Sequence, residues 1–406
     1  MMLLKLAYRN LWRNKRRTII TIASVFFAVF FAVILRSMQI GVYERMIENV
    51  VGYYSGYIQV HKNGYWKEQT IDEVTPYSDS LLTWMESKDQ IEQVLPRLEG
   101  FALAATNEVT KGALVNGIDP EREGSMLKLG EKMVSGSVFK ASDKSVILGS
   151  GLAEYLKLSA GDTLVMLGQG YRGISARGKY PVAGIVKLSS PLLNDNLVFL
   201  PLAEAQWFYG AEGMITSYVL DMRYSDNVPK FARNMKAKMD TAQYEVMPWQ
   251  EMMPELVQAI QADSAGGQIM LFILYMVITF GMFGTVLMMT AERKYEFGVL
   301  ISIGMRRGQL ALTVFFETVL ISIIGVITGL IGALPIVYYF HLNPLQFGEE
   351  ASSAMEEYGF EAVMPASLDP SIALTHAVII LIISILISWY PTFVLARLKP
   401  VEAMHV

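Results

Sequence analysis

Gly168, Gly170 and Gly173 spell G-x-G-x-x-G, and Gly173, Gly178 and Lys179 spell G-x-x-x-x-G-K. Both spacings can let backbone N–H groups converge on a phosphate, provided a strand precedes the glycines and a helix N-terminus follows them. Here Tyr180 and Pro181 follow and lead into a β-prone run, and Tyr180 stands where a magnesium-holding Ser or Thr would be needed. The expectation is a glycine-rich hairpin tip, suited to docking, and no nucleotide site. His61, His341, His376 and His405 are scattered and the chain has no cysteine, so no metal site is expected. Glu349 and Glu350 read as a solvated face, and no Ser, His and Asp arrangement can be recognised, so no catalytic residue is assigned. Glu317 differs, because it interrupts an apolar run, where a carboxylate is costly and normally faces protein or water. It lies near one end of that run, which predicts snorkelling or pairing with an arginine such as Arg306 or Arg307; proton coupling is the alternative. Gly325, Gly329 and Gly332 follow it as a small-residue face for close helix packing.

The elements that must position these residues are mostly apolar. Of 406 residues, 52% are hydrophobic and only 18% charged, against about 25% charged in a soluble domain. Such content excludes disorder, and the absence of Cys excludes a disulfide scaffold. A formal net charge of −4 offers no basic surface for nucleic acid. Four runs are long enough to cross about 30 Å of hydrocarbon: Thr18 to Leu35, Ile269 to Met289, Leu310 to Phe340 and Ile372 to Leu395.

Lys and Arg flanks orient the spans, since cytoplasmic flanks retain them. Lys5, Arg9, Arg13, Lys15, Arg16 and Arg17 precede span one. Arg293, Lys294, Arg306 and Arg307 lie between spans two and three, and Arg397 and Lys399 follow span four. The connection from His341 to Ser371 carries only acids: Glu349, Glu350, Glu356, Glu357, Glu361 and Asp369. Both termini are therefore expected in the cytoplasm, with the long segment after span one outside. No small-x-small site follows span one, so it reads as a retained anchor. Before it, Leu4, Tyr8, Leu11 and Trp12 share one helical face and Lys5, Arg9 and Arg13 another, which suits an interfacial helix over 1–17.

The segment 53–247 has ordinary soluble composition. Tyr57 to Val60, Ile215 to Leu220 and Tyr244 to Met247 are β-prone, another extended run follows Leu95, and Asp79 to Glu86 can be helical. Val228, Phe231, Ala232, Met235 and Met239 fall at helical spacing and predict a core-facing helix. Short β-prone runs, Ala113 to Ile118, Val146 to Leu148, Thr163 to Leu167, Tyr180 to Val186 and Leu197 to Leu200, fill the middle. The expected fold is a four-helix membrane protein with a large α+β extracytoplasmic domain of two subdomains between spans one and two, the β-rich one inserted at about 108–201. Helix formers beyond the apolar runs predict stalks, completing 18–52 with span one and 248–290 with span two. The rest divides into a coupling loop at 291–309, span three at 310–340, an outer loop at 341–371, span four at 372–395 and a tail at 396–406.

The segment Ala291 to Thr318, AERKYEFGVLISIGMRRGQLALTVFFET, resembles the cytoplasmic loop of permeases in the FtsX, MacB and LolE superfamily of ABC transporters. The matching positions are Glu292, Glu296, Phe297, Gly298, Leu300, Gly304 and Arg306, followed by Glu317, Gly325, Gly329 and Gly332. The end of the chain is similar to the family's terminal pattern at Ala396, Pro400, Val401 and Glu402, and VILGSGLAEYLKLSAGDTLVM from Val146 is similar to its periplasmic core domain. Length and layout resemble the lipoprotein-releasing LolC and LolE permeases most.

That resemblance implies a non-enzymatic subunit of the bacterial inner membrane. A separate cytoplasmic ATPase dimer would carry ATP and magnesium, and would grip Glu292, Arg293, Glu296, Gly298, Gly304 and Arg306. It implies a second permease copy or a paralogue, and mechanical transmission to the outer domain, most simply to release lipoproteins. The alternatives are efflux of amphiphiles or peptides through an outer partner, or activation of a cell-wall hydrolase. Gly168, Gly170, Tyr171, Arg172, Gly173, Arg177 and Lys179 fall where the LolC subunit has its chaperone-binding hook, with the departure that this loop holds no proline.

Overall fold

The computed structural model describes residues 6–9, 11, 15–124, 126–188, 190–223, 227–346, 348 and 363–396. Leu4, Lys5, Trp12 and Arg13 of the expected interfacial helix lie outside the described residues. So do the outer-loop acids Glu349, Glu350, Glu356, Glu357 and Glu361, and Arg397, Lys399, Pro400, Val401, Glu402 and His405 of the tail. Two compact units are present, Arg45–Ala259 and the unit that holds the spans.

Among the described residues four helices are long and apolar enough to cross a membrane: Thr18–Gly52, Pro254–Glu292, Arg307–Leu342 and Pro370–Leu395. Several hydroxyl side chains inside them bond to carbonyls of their own helices, since hydrocarbon offers no water. Thr313, Thr318 and Ser322 in span three donate to carbonyls one turn back, as do Ser384 and Ser388 in span four. The spans share a core in which Val25, Ala28, Val29 and Ala32 of span one meet Met282, Val286, Val326, Ala333 and Ile380. A Cβ on Gly325 would fall 2.6 Å from Val25 Cβ, and one on Gly329 2.9 Å from the Phe26 carbonyl. Spans one and three therefore approach closely because those side chains are missing. Beyond the apolar stretch, the Ser367 N–H donates to the Ser37 carbonyl (2.8 Å) and its hydroxyl to Glu44 (2.8 Å), strapping the last connection onto span one.

The other unit, here called the head, holds strands β1 (Ile58–Lys62), β2 (Thr75–Pro76), β3 (Ile91–Ala105), β4 (Thr110–Ile118), β5 (Met133–Gly136) and β6 (Val146–Gly149). It continues with β7 (Thr163–Gln169), β8 (Ser175–Val186), β9 (Leu197–Pro201), β10 (Met214–Ile215), β11 (Ser217–Met222) and β12 (Tyr244–Pro248). The main sheet runs β12-β1-β11-β3-β4-β9-β6-β8-β5, and β7 pairs with both β3 and β8. Strand β3 joins two halves. Its residues from Ile91 to Arg97 pair with β11, while those from Leu98 onward pair with β4 and β7. The second half thus begins within a strand, upstream of Glu108, since a long strand can change partners without breaking its ladder.

Strands β6 and β9 are buried on both faces: Leu148 and Val198 belong to one hydrophobic core, Ile147 and Phe199 to another. That explains why both read as continuous apolar runs. The helix Val228–Lys236 buries Val228, Ala232 and Met235. It ends before Met239, which the spacing had placed on the same face; Lys238 N–H closes a tight turn on the Met235 carbonyl (2.9 Å) instead.

Candidate functional site

The segment between spans two and three is built around a short helix, Lys294–Ser302. Span two stops at Glu292 because Arg293 leaves helical geometry (φ −92°, ψ 7°). The short helix ends in a left-handed C-terminal turn: Gly304 N–H donates to the Ile301 carbonyl (3.0 Å) and Met305 N–H to the Leu300 carbonyl (3.0 Å). Gly304 has φ +107°, and a Cβ there would meet nothing within 4 Å. Glycine is therefore required at 304 by backbone conformation. Arg306 then opens span three, its N–H on Gln309 Oε1 (3.4 Å).

One face of the short helix is anchored. Phe297 is buried with Leu310, Ala311 and Val314 of span three and Leu395 of span four, and Gly298 is buried beside it. Arg293 donates through Nη1 to both oxygens of Glu317 (2.9 and 2.8 Å), lies over the Phe297 ring at 5.1 Å and reaches Glu296 through Nε at 3.4 Å. Glu317 is therefore paired with Arg293, and neither Arg306 nor Arg307 is its partner. Arg293, expected on the gripping surface, turns inward. A cavity of about 10 Å³ beside the pair, lined by Thr21, Thr290, Val314 and Thr318, has room for about one water.

The opposite face is open. Glu292, Lys294, Glu296, Arg306 and Arg307 are exposed there, together with Tyr295, Leu300 and, at 80% exposure, Ile303. Tyr295 and Ile303 were not singled out by sequence, although positions eight apart on a helix come back to within about 80° of one another. The result is a mixed apolar and charged surface on a helix fixed to spans three and four.

The glycine-rich stretch 168–179 is a hairpin between β7 and β8, paired out to Gln169 and Ser175. A strand follows it, so it lacks the helix N-terminus that a phosphate site requires. Arg172 (φ +54°) and Gly173 (φ +78°) form the tip, and the Arg172 N–H donates to Asp72 Oδ1 (2.6 Å). Tyr171 is half-buried, Gly168 and Gly170 close on neighbouring backbone, and Arg172, Arg177 and Lys179 are exposed.

Sequence reading missed a buried polar cluster in the head. Arg97, fully buried, makes a two-point ion pair with Glu123 (2.6 and 2.9 Å), donates to the Tyr54 carbonyl and lies 5.3 Å from the Tyr54 ring. Glu99 accepts from Asn116 (3.4 Å) and Tyr54 (3.5 Å), and burial pushes its carboxyl above the ordinary range. His61 is buried against Glu245 (3.2 Å), whose carboxyl that hydrogen bond holds low. The remaining described histidines bond to single partners, His341 to the Ala366 carbonyl and His376 to Tyr275. Among the described residues no group of three or more His, Asp or Glu could hold a metal.

Comparison with known proteins adds two matches to family models. The MacB-like periplasmic core domain matches residues 18–238, and the FtsX-like permease C-terminal matches 268–400. The lipoprotein-releasing system transmembrane protein LolC of Xylella fastidiosa is 21% identical over 319 residues, 76% of each chain. The lipoprotein-releasing system transmembrane protein LolE of Haemophilus influenzae is 23% identical over 340 residues, 79% of each. Among solved structures, the periplasmic region of MacB from Actinobacillus actinomycetemcomitans matches 53% of this chain and 97% of its own at 13% identity, with a TM-score of 0.37. The extracellular domain of the ABC-type transporter YknZ from Gram-positive bacteria matches 47% and 98% at 17% identity, with a TM-score of 0.33.

Proposed function

The chain belongs to the FtsX, MacB and LolC/LolE family of ABC-transporter permeases, and on that premise we propose that it transmits ATP-driven motion from a separate cytoplasmic ATPase to its head, releasing lipoproteins from the inner membrane. One observation carries the transmission: the short helix Lys294–Ser302 is tied to span three through Arg293 and Glu317 while Tyr295, Leu300, Ile303 and Arg306 are exposed. Force applied to the open face passes into the spans because the opposite face is buried and ion-paired. The ATPase is a dimer, which requires two membrane halves, supplied by a second copy or a paralogue. Both termini are cytoplasmic and the head is extracytoplasmic in this reading, as the Lys and Arg flanks require. The names of the LolC and LolE relatives supply the cargo class. The basic hairpin tip around Arg172, Arg177 and Lys179 is the loop offered to a periplasmic chaperone.

The test is co-purification of the ATPase with the full-length chain. Glu296→Lys reverses a charge on the open face, and Gly304→Asp places a side chain on a φ of +107°. Each is expected to reduce the bound ATPase at least tenfold while protease resistance of the head is unchanged. Retention of the ATPase by both variants overturns the docking assignment. Separately, depletion of the protein is expected to strand lipoproteins in the inner membrane, and normal lipoprotein sorting on depletion would rule out that cargo.

A further inference from the structure

A second polar feature lies at the end of the spans from which the head is connected. Arg36, near the end of span one's apolar run, donates through Nη1 to Gln39 Oε1 (2.6 Å) and through both terminal nitrogens to the Ser264 hydroxyl (3.5 and 3.4 Å). Both partners are neutral, and among the described residues no carboxylate forms an ion pair with Arg36. The acid in this neighbourhood, Asp263, accepts from Gln39 (3.0 Å) and from Tyr43 (2.5 Å). A guanidinium at the edge of hydrocarbon is costly without an anion and pairs best with a carboxylate or phosphate that can take two of its N–H groups at once.

Arg36 borders a cleft of about 460 Å³ between spans one, two and four. This is within the range of small-ligand sites, about 300–1,000 Å³, and smaller than a whole two-chain lipid. Gln268, Thr375 and the His376 ring bonded to Tyr275 line its polar part, and Leu271, Phe272 and Ile379 its apolar part. Phe272 is 66% exposed, as suits a wall that opens sideways into the bilayer. We propose that this cleft holds one anionic phospholipid, its phosphate on the Arg36 guanidinium and the upper part of one acyl chain along Leu271, Phe272 and Ile379. One cation, neutral hydrogen-bonding neighbours and an apolar wall continuous with the lipid phase match an amphiphile with an anionic head. The site stands whether or not the protein releases lipoproteins.

The experiment is native mass spectrometry of the full-length protein from mixed micelles of phosphatidylglycerol and phosphatidylcholine. Wild type is expected to retain one phosphatidylglycerol per chain in preference to phosphatidylcholine. Arg36→Gln and the cleft-filling Thr375→Trp should each lower the retained fraction at least tenfold. Arg36→Lys should restore part of it, and Lys294→Gln, in the segment between spans two and three, should leave it unchanged. Equal retention of the two lipids, or retention that survives both Arg36→Gln and Thr375→Trp, overturns the proposal. Displacement by excess inorganic phosphate would assign the site to a soluble anion, and displacement by a triacylated peptide would assign it to cargo; either result overturns a resident phospholipid. Failure of the lipoprotein-sorting test alone would leave phosphatidylglycerol retention unaltered.

Discussion

Arg293 and Glu317 form a buried pair at the root of the short helix, with side-chain exposures of 13% and 4%. Deleting one member leaves the other charge uncompensated, which costs about 3–5 kcal/mol, whereas replacing both with apolar groups is often neutral. Arg293→Met and Glu317→Met are each expected to lower thermal stability of the detergent-solubilised protein by that order, and the double variant to recover most of it. A purely additive double variant would show that the pair is not coupled. In the head, burial holds Glu99 above the ordinary glutamate value of 4.5. The folded state therefore keeps a proton that the unfolded chain releases, and stability falls as pH rises from about 4.5 toward the raised value. Glu99→Gln, which mimics the protonated form, is expected to gain stability relative to wild type as pH goes from 5 to 8. A difference in melting temperature that stays constant over that range would contradict it. Sequence marked Glu317 as needing a partner because a carboxylate in an apolar run is conspicuous. It named Arg306 and Arg307 because they are nearer in the chain, whereas the turn at Arg293 folds a more distant side chain back. Arg97, Glu99 and Glu123 gave no signal at all, since charges in a segment of soluble composition read as surface until strand pairing buries them.

At the scale of elements, spans one and three are held close by missing side chains. The tolerance for a methyl group should follow what each would meet: Val25 Cβ at 2.6 Å for Gly325, the Phe26 carbonyl at 2.9 Å for Gly329, and the edge of the Phe26 ring at 3.0 Å for Gly332. A ring edge can turn aside, but backbone and a β-branched side chain yield less. Gly325→Ala and Gly329→Ala are therefore expected to destabilise by about 1–3 kcal/mol, and Gly332→Ala by distinctly less, as read from melting temperatures. Equal losses at all three would indicate that the spans separate instead of overpacking. The four spans and the helix Asp79–Glu86 were legible because their periodicity or length is a local property. The span of β3 was not, because residues 91–105 hold together only through two different sets of partners distant in sequence. The winding of span one's continuation was equally hidden: after Ile47 the chain goes on to Ser55 as a π-helix, with the Gly56 N–H on the Val51 carbonyl (2.7 Å). That winding delivers the Tyr54 carbonyl to Arg97, so the continuation of a membrane helix becomes part of the head's polar core.

For the whole molecule, the proposed relay requires the gripping surface and the head to lie on opposite sides of one bilayer. The chain has no cysteine, so single introduced thiols report sidedness without background. Ser87, exposed at the end of the helix Asp79–Glu86, and Lys294, exposed at the start of the short helix, are suitable positions. In spheroplasts, Ser87→Cys is expected to react with a membrane-impermeant maleimide at once, and Lys294→Cys only after permeabilisation, with at least a tenfold difference in rate. The reverse pattern would place the head with the ATP supply and remove the reason for a lever. Equal labelling of both before permeabilisation would contradict a bilayer between them. Sidedness is the physical condition on which transmission depends: a motor that shared a compartment with the head could touch it directly, and the long helices Thr18–Gly52 and Pro254–Glu292 would then have nothing to transmit.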